Sequence, residues 1–572
     1  MLLGNTYTIP NIVNLPGQSG GDDSDPAFIM RVQTDISTSS TGKSNDDQFL
    51  INVDATGGTV FDYEVDWGDG NTDSGVTGNI THTYAAIGTY DVKITGTFPN
   101  IYFFNRFDRY KVLEIKNWGE IEWESMRNAF FGCQNMTITA TDEPDFSNVI
   151  SFYRAFTNCY VMDFPSPTAT KNWVSSPATN LQQMFSACRS ITSADCSGWD
   201  VSNVGNFSYC FYDNRLNTSI DTTGWDVGTG TNFSFMFMQC YILEEIIGIE
   251  DWRFRLDDFV SLYVTFRDCR KLSFDLSNWE VGKVNNFVGT FRSCYELGSL
   301  DLGSWDTSSA TSMSQMFFNC LDVASLGDIN NWDVSNVTNF SYMFQQCKQL
   351  VADTSSWDTS SGGNFGFIFN TLNIQNAAEQ TGYGNWDLSS CVGAATQSMF
   401  YFGALGDAFL TEGFPSNWNI GNSTSLSGCF RRADFGETDI TCNITTSNLL
   451  TNCYTAFMEL GFYTANSITF NSNFDVSSVT DARYMFSNNG NPFSVSFPAN
   501  TDWGSVTTFQ NFLSGTTLSS AEYNALLIDI EASNQNNNVL FDAPNCVATG
   551  AGVTARTALI NDHSWTINDS TP

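Results

Sequence analysis

A phenylalanine in the setting Met-Phe-x-x-Cys, or a near variant, returns fifteen times between Phe130 and Phe512. The 14 steps cover 382 residues, about 27 per step, the period of arrays whose units cannot bury a core alone and must stack. One closed core is thereby excluded, since 572 residues already exceed what a single core usually serves. Eight anchors carry Cys three residues on, among them Cys240, Cys269, Cys294, Cys320 and Cys347. A whole repeat separates these thiols, unlike the close pairs that hold metals or cycle redox states. The spacing predicts a buried column of small core residues. Strand-spaced Cα atoms fall near disulfide range, but free thiols are the expected form without an export signal.

Between anchors a second mark recurs, Trp-Asp-Val/Thr-Ser, at Trp199, Trp305, Trp332 and Trp357, with weaker copies at Trp225 and Trp386. Period-two segments precede it, such as Leu272–Leu276 and Leu297–Leu302, and read as strands. The Trp-Asp mark turns the chain, its Asp and Ser suited to bonding backbone N–H groups two residues on. The stretch from Asn336 to Phe344 reads as a short helix or helical turn whose Met and Phe enter the same core. Units pairing strand to strand at about 4.8 Å make a rod of roughly 70 Å.

The flanks differ from the array. Residues 1–46 are rich in Gly, Ser, Asp and Pro and read as an N-terminal attachment segment and linker. Residues 47–98 alternate and turn, with strands at 49–53, 61–67, 81–84 and 90–95 and a tight turn at Gly68-Asp-Gly70, a small β-sandwich. Residues 99–518 hold the repeats. From 519 to 572 a small α/β cap is expected. Ser519-Ser-Ala-Glu522 is a capping box opening a helix to about Glu531. A strand near Val539–Phe541, a helix over Val553–Ile560 and a last strand over Trp565–Ile567 follow. The expected fold is mainly β with short helices, a solenoid of about 15 units between these two flanks.

Charge narrows the partners. There are 24 Lys and Arg against 61 Asp and Glu, a net charge of -37. No cluster of basic residues appears along the sequence, so neither nucleic acid nor an anionic lipid surface is expected. The acidity is expected to keep a long rod dispersed, the alternative being a cationic partner or bound divalent cations. No run of 18 apolar residues occurs, so no membrane insertion is expected. The opening MLLGNTYTIPNIVNLPGQSGG lacks the basic start and apolar run of a secretory signal. Synthesis in a cytoplasm and exit by another route are the expectation.

Residues 332–347, Trp-Asp-Val-Ser-Asn-Val-Thr-Asn-Phe-Ser-Tyr-Met-Phe-Gln-Gln-Cys, resemble the BspA-type repeat of bacterial surface proteins. The resemblance covers about 104–515, is most specific from Phe185 to Cys347 and fades after Phe369. It implies a leucine-rich-repeat-like β-solenoid and an adhesive role. Trp67-Gly-Asp-Gly70, His82-Thr-Tyr84 and Gly88-Thr-Tyr-Asp-Val92 resemble a PKD domain, a spacer or adhesive module usually found outside cells. Ile115-Lys-Asn-Trp-Gly119 is similar to the junction before such repeats. Pro10 to Gly21 resembles the openings of marine tailed-phage proteins. Together these resemblances imply a virion protein, a fibre or capsid decoration, released by lysis. Its partners would be other virion proteins through the N-terminal segment and a host surface glycan or protein, with homo-oligomerisation open. A bacterial cell-surface adhesin is the alternative, and a polysaccharide-degrading enzyme a remote one.

Catalytic constellations are sparse. The two histidines are His82 and His563. The first falls in the PKD-like signature, and no Ser-His-Asp set assembles from the two. No P-loop, dinucleotide fingerprint or H-E-x-x-H occurs, and nothing singles out a carboxylate pair of glycosidase type. No catalytic residue, cofactor or enzymatic activity is expected. Asp66, Asp69 and Asp73 are the metal candidates, able in principle to share a Ca²⁺ with backbone carbonyls. Against that, Asp-Gly is simply a hairpin turn. Sequons such as Asn336-Val-Thr arise from the repeat itself.

Overall fold

The structure is a computed structural model. It describes residues 25–36, 40–254, 258–369, 380–381, 383, 386–392, 396–399, 414–415, 418–433, 435, 437–460, 465–490 and 492–572. The chain is mainly β, a solenoid of about 16 turns.

The described residues open with antiparallel strands. They are β1 (Phe28–Gln33), β2 (Gln48–Ile51), β3 (Asp62–Asp66), β4 (Thr72–Val76), β5 (Ile80–Thr83) and β6 (Thr89–Thr97), followed by β7 (Val112–Asn117) and β8 (Thr137–Ile138). One sheet runs β4-β3-β6-β1-β7-β8, and β2 pairs with β5. Alternation places Tyr63, Val65, Val92 and Ile94 inward, with Trp67 fully buried beside them. The linker expected to run to residue 46 is interrupted by β1. That strand pairs antiparallel with both β6 and β7, and β7 pairs parallel with β8, so one sheet passes into the repeats. Arg31 ties the join together, 2.9 Å from Asp91 on β6 and 3.0 Å from Glu114 on β7. Gly119 lies against the start of β1 at φ +62°, where a Cβ would sit 2.4 Å from the Pro26 carbonyl. Only glycine meets both demands. Behind the join Lys111 is buried, its Nζ donating to the Asn45 and Gln48 carbonyls at 2.7 and 2.8 Å.

Parallel strands stack in register at 193–195, 219–221 and 245–247, and again at 439–442, 467–470 and 494–496. The expected strands at Leu272–Leu276 and Leu297–Leu302 are not regular strands. Leu297, Leu300 and Leu302 are buried as alternation demands. Only Leu300 and Leu302 N–H groups reach the next unit, at 2.9 Å, too few bonds for a ladder.

The expected helical turn from Asn336 to Phe344 is also corrected. Asn339 is a parallel bridge between Ser312 and Asn364, and two turns follow. Tyr342 and Gln346, two residues before and after the Phe344 anchor, have φ of 60° and 63°. The same two offsets are left-handed in nearly every described unit, which no right-handed helix tolerates. The reason lies in where the N–H groups go. Phe340, Tyr342 and Phe344 donate to Asn364, Gly366 and Ile368 carbonyls of the next unit at 2.8–3.0 Å. Met343 and Cys347 donate back three residues. Alternate residues thus serve the next unit and their own turn, and inter-unit bonds win over helix.

Inside, side chains stack by type. Phe211, Phe237, Phe266, Phe291 and Phe317 follow one another at 5.4–5.7 Å, within 13° of parallel. Trp225, Trp252, Trp279, Trp305, Trp332, Trp357 and Trp386 form a second stack at 5.8–6.3 Å. Trp305 and Trp332 each donate Nε1 to a carbonyl one unit back, Leu276 and Leu302, at 2.9 and 2.8 Å. A buried indole thereby keeps its hydrogen bond.

The Cys column does the same. Cys294, Cys320 and Cys347 donate Sγ to the carbonyls of Phe266, Phe291 and Phe317 at 2.9–3.1 Å. Where Cys is lost, Asn489 and Thr516 donate to the equivalent carbonyls of Phe457 and Phe486. The position therefore selects a small donor rather than sulfur chemistry.

The C-terminal segment carries the two α-helices of the described residues, α1 (Ser520–Ser533) and α2 (Gly550–His563). Ser519 and Glu522 complete both bonds of the capping box. Strands 540–543 and 566–569 pair in parallel, and Phe541 bridges Phe509 of the last Phe-anchor unit.

Candidate functional site

Asp66, Asp69 and Asp73 lie around the β3–β4 turn, each already engaged. Asp66 accepts from the Gly68 N–H at 2.9 Å. Asp73 accepts from the Trp67 indole at 2.8 Å. Asp69 accepts from the Asn71 N–H at 3.0 Å and contacts His82 Nε2 at 2.9 Å. The His82 ring lies flat on Trp67, 4.8 Å away and 11° from parallel, with its edge to Tyr84. Burial pushes the Asp69 carboxyl up, and the hydrogen bonds from His82 and Asn71 more than reverse this, leaving it below its usual value. The three carboxylates thus brace a turn and an aromatic stack. Among the described residues no three His, Cys, Asp or Glu converge as a metal site. His563 ends α2, its carbonyl accepting from the Asn538 N–H at 3.0 Å.

In the repeats the interior is filled. Among the described units, rings one unit apart leave no slot between them for a ligand, and the fifteen cysteines are all buried and unpaired. Burial pushes the Cys347 thiol up to about 12 and raises Cys294 and Cys320 as well, so thiolate is scarce at neutral pH. Thiol labelling of the native chain should be slow at Cys294 and Cys320 and complete after denaturation. Rapid native labelling of both would contradict a closed core. A cleft of about 250 Å³ opens between the last repeats and α1, lined by Phe486, Phe512, Leu526 and the half-buried Glu522 and Asp529.

What varies is outside, in two columns. At the Trp-Asp turn, Asp333 Oδ1 accepts from the Ser335 N–H at 3.0 Å and its hydroxyl at 2.6 Å. Asp200 and Ser202 repeat this geometry. Donation from Ser360 holds the Asp358 carboxyl below its usual value. These exposed acids form a fixed negative column. The Phe-anchor turn forms a second column with a different character. Tyr209 lies on Phe235 at 4.4 Å and Tyr342 on Phe367 at 4.8 Å, each half-buried. Arg154 and Arg189 cover Tyr153 and Tyr160 at 4.9 and 4.6 Å. Sequence reasoning missed this second column. Most of its cations are a whole repeat apart, and the short group Arg267, Arg270, Lys271 is diluted by the acidic chain around it; aligning the repeats on their anchors would have found it.

A filled interior with repeating outer columns defines a β-solenoid repeat surface protein of the BspA kind, consistent with an adhesin-like role. The family described as "Mycoplasma protein of unknown function, DUF285" matches residues 124–252, 260–386 and 373–499, and the chain belongs to it. A search of the curated proteins finds no match.

Proposed function

We propose that this chain is a structural and adhesive protein of a phage particle, a fibre or capsid decoration that presents its solenoid to a host surface. The observation that carries the adhesive part is the contrast between a filled core and outer columns that recur from unit to unit among the described residues. Such a surface suits many weak contacts to a repetitive partner, with affinity accumulating by multivalency. The virion assignment rests on the PKD-like signature ahead of the repeats and on the resemblance of residues 10–21 to phage openings. It acts without catalysis, metal or cofactor, binding a host glycan or protein. Residues 1–24, outside the described residues, are the attachment to other virion proteins.

Mass spectrometry of purified particles tests this reading: the chain should be present, and its absence would sink the virion assignment. Removing residues 1–24 should abolish incorporation while leaving the fold intact. The cut must stop there, because β1 is the partner of β7. A second reading, a bacterial cell-surface adhesin, is favoured by the family match and would be supported by finding the chain on intact cells instead. Release of reducing sugar from host polysaccharide would revive an enzymatic role.

A further inference from the structure

Cations are segregated on this molecule. The nine residues from three before to five after each Phe anchor hold twelve of the 24 Lys and Arg but six of the 61 Asp and Glu. This column is net positive in a chain of net charge -37. The rest of residues 120–518 carries four basic residues, Lys171, Arg253, Arg255 and Lys283, against 34 acidic ones. The excess is largest in the unit of Phe266, where Arg267, Arg270 and Lys271 stand against Asp268, and Arg292 follows in the next unit.

Only Arg267 of these four has a carboxylate partner among the described residues, Asp268 at 3.4 Å. The Arg270 guanidinium stands between two rings, 4.7 Å from Tyr241 and 5.3 Å from Tyr295. Arg292 lies 4.7 Å from Phe318. Burial and the nearby Arg267 charge both disfavour protonated Arg292. Asp268 offsets only part of the repulsion between these cations, and an anionic ligand would offset more. The rings hold the guanidinium groups in fixed orientation, so little entropy remains to be lost on binding.

We propose that this Phe-anchor face, centred on Arg267, Arg270, Lys271 and Arg292, binds a sparsely charged acidic polysaccharide lying along the solenoid. This rests on the attachment reading and names its ligand class. Charge density selects the ligand. At about 4.8 Å per unit the column offers roughly one net positive charge per 12 Å. A nucleic acid strand carries one negative charge per roughly 3.4 Å, and the acidic remainder of the protein repels so dense a polyanion. A glycan with one carboxylate per disaccharide matches the column more closely. The windows around Phe237 and Phe317 hold no basic residue, so the column, like such a glycan, is charged at intervals rather than at every unit.

Binding of the full chain to hyaluronan, polygalacturonate, dextran and poly(dT) tests the proposal. Hyaluronan should bind, more tightly than poly(dT), and weaken as salt rises and the Debye length shortens. Dextran should not bind. The triple variant Arg270→Gln, Lys271→Gln, Arg292→Gln, with its fold checked by circular dichroism, should bind hyaluronan roughly tenfold more weakly, the scale of a lost charge-assisted bond. Asp306→Asn on the opposite column should bind as the parent does. The proposal is overturned if the triple variant binds like the parent, if dextran binds equally well, if poly(dT) or polygalacturonate binds more tightly than hyaluronan, or if hyaluronan does not bind. Failure here with the chain present in particles leaves the attachment reading standing. Arginine-dependent hyaluronan binding with the chain absent from particles sinks the virion reading alone.

Discussion

Phe317→Ala should destabilise the solenoid by about 3–5 kcal/mol, the transfer term plus the cavity left by a buried ring. Phe317 is fully buried, with Phe291 at 5.4 Å and Phe344 at 6.1 Å on its two faces. Both neighbours lose a stacking partner, so the damage spreads to adjoining units, as expected where stability is a sum of unit and interface terms. The Phe317 carbonyl also accepts from the Cys347 thiol, which ties the backbone of this unit to the next. Asp306→Asn, on an exposed turn, should fall within about 0.5 kcal/mol. Urea unfolding followed by fluorescence and circular dichroism compares the two. A Phe317 variant that unfolds with the parent would mean the ring does not carry the stack.

Deleting a whole unit should be tolerated, whereas deleting half of one should abolish the fold. Asn286 and Ser312 occupy successive rungs and bridge one another. Removing residues 286–311 therefore sets Ser312 where Asn286 stood, brings Phe317 onto Phe266 and Trp332 onto Trp279, and rejoins each stack. Removing residues 286–298 instead takes out Phe287, Phe291 and Cys294 but keeps Trp305. The remaining half-unit cannot place its inward residues, and the stack is cut in two. The first variant should keep a cooperative melt near that of the parent, and the second should lose it. If both melt alike, the units are not in the register described above.

The period, the anchors and the buried thiols were legible because each is a repeated side-chain identity, and repetition survives in sequence. Ser519 and Glu522 were legible because a capping box is local. The turns around the anchors were not. Their left-handed positions include Val264 and Phe235, residues with no preference for that conformation, so the bonds to the next unit impose it. Strand β1 escaped because Phe28–Gln33 sits beside a Gly- and Asp-rich stretch and finds its partners, β6 and β7, some 60 to 80 residues later. The basic column was hidden for the same reason: Arg267 and Arg292 stand 25 residues apart in sequence and become neighbours only when the units stack.

The bonds donated by Phe340, Tyr342 and Phe344 to the next unit run along the length of the rod. Tension between its two ends loads such rungs in series, so one rung at a time gives way rather than all sharing the load. A detached unit of about 27 residues can extend to roughly 90 Å, where stacked it occupied about 5 Å. A solenoid of this construction, pulled from its two ends, lengthens stepwise, one unit after another.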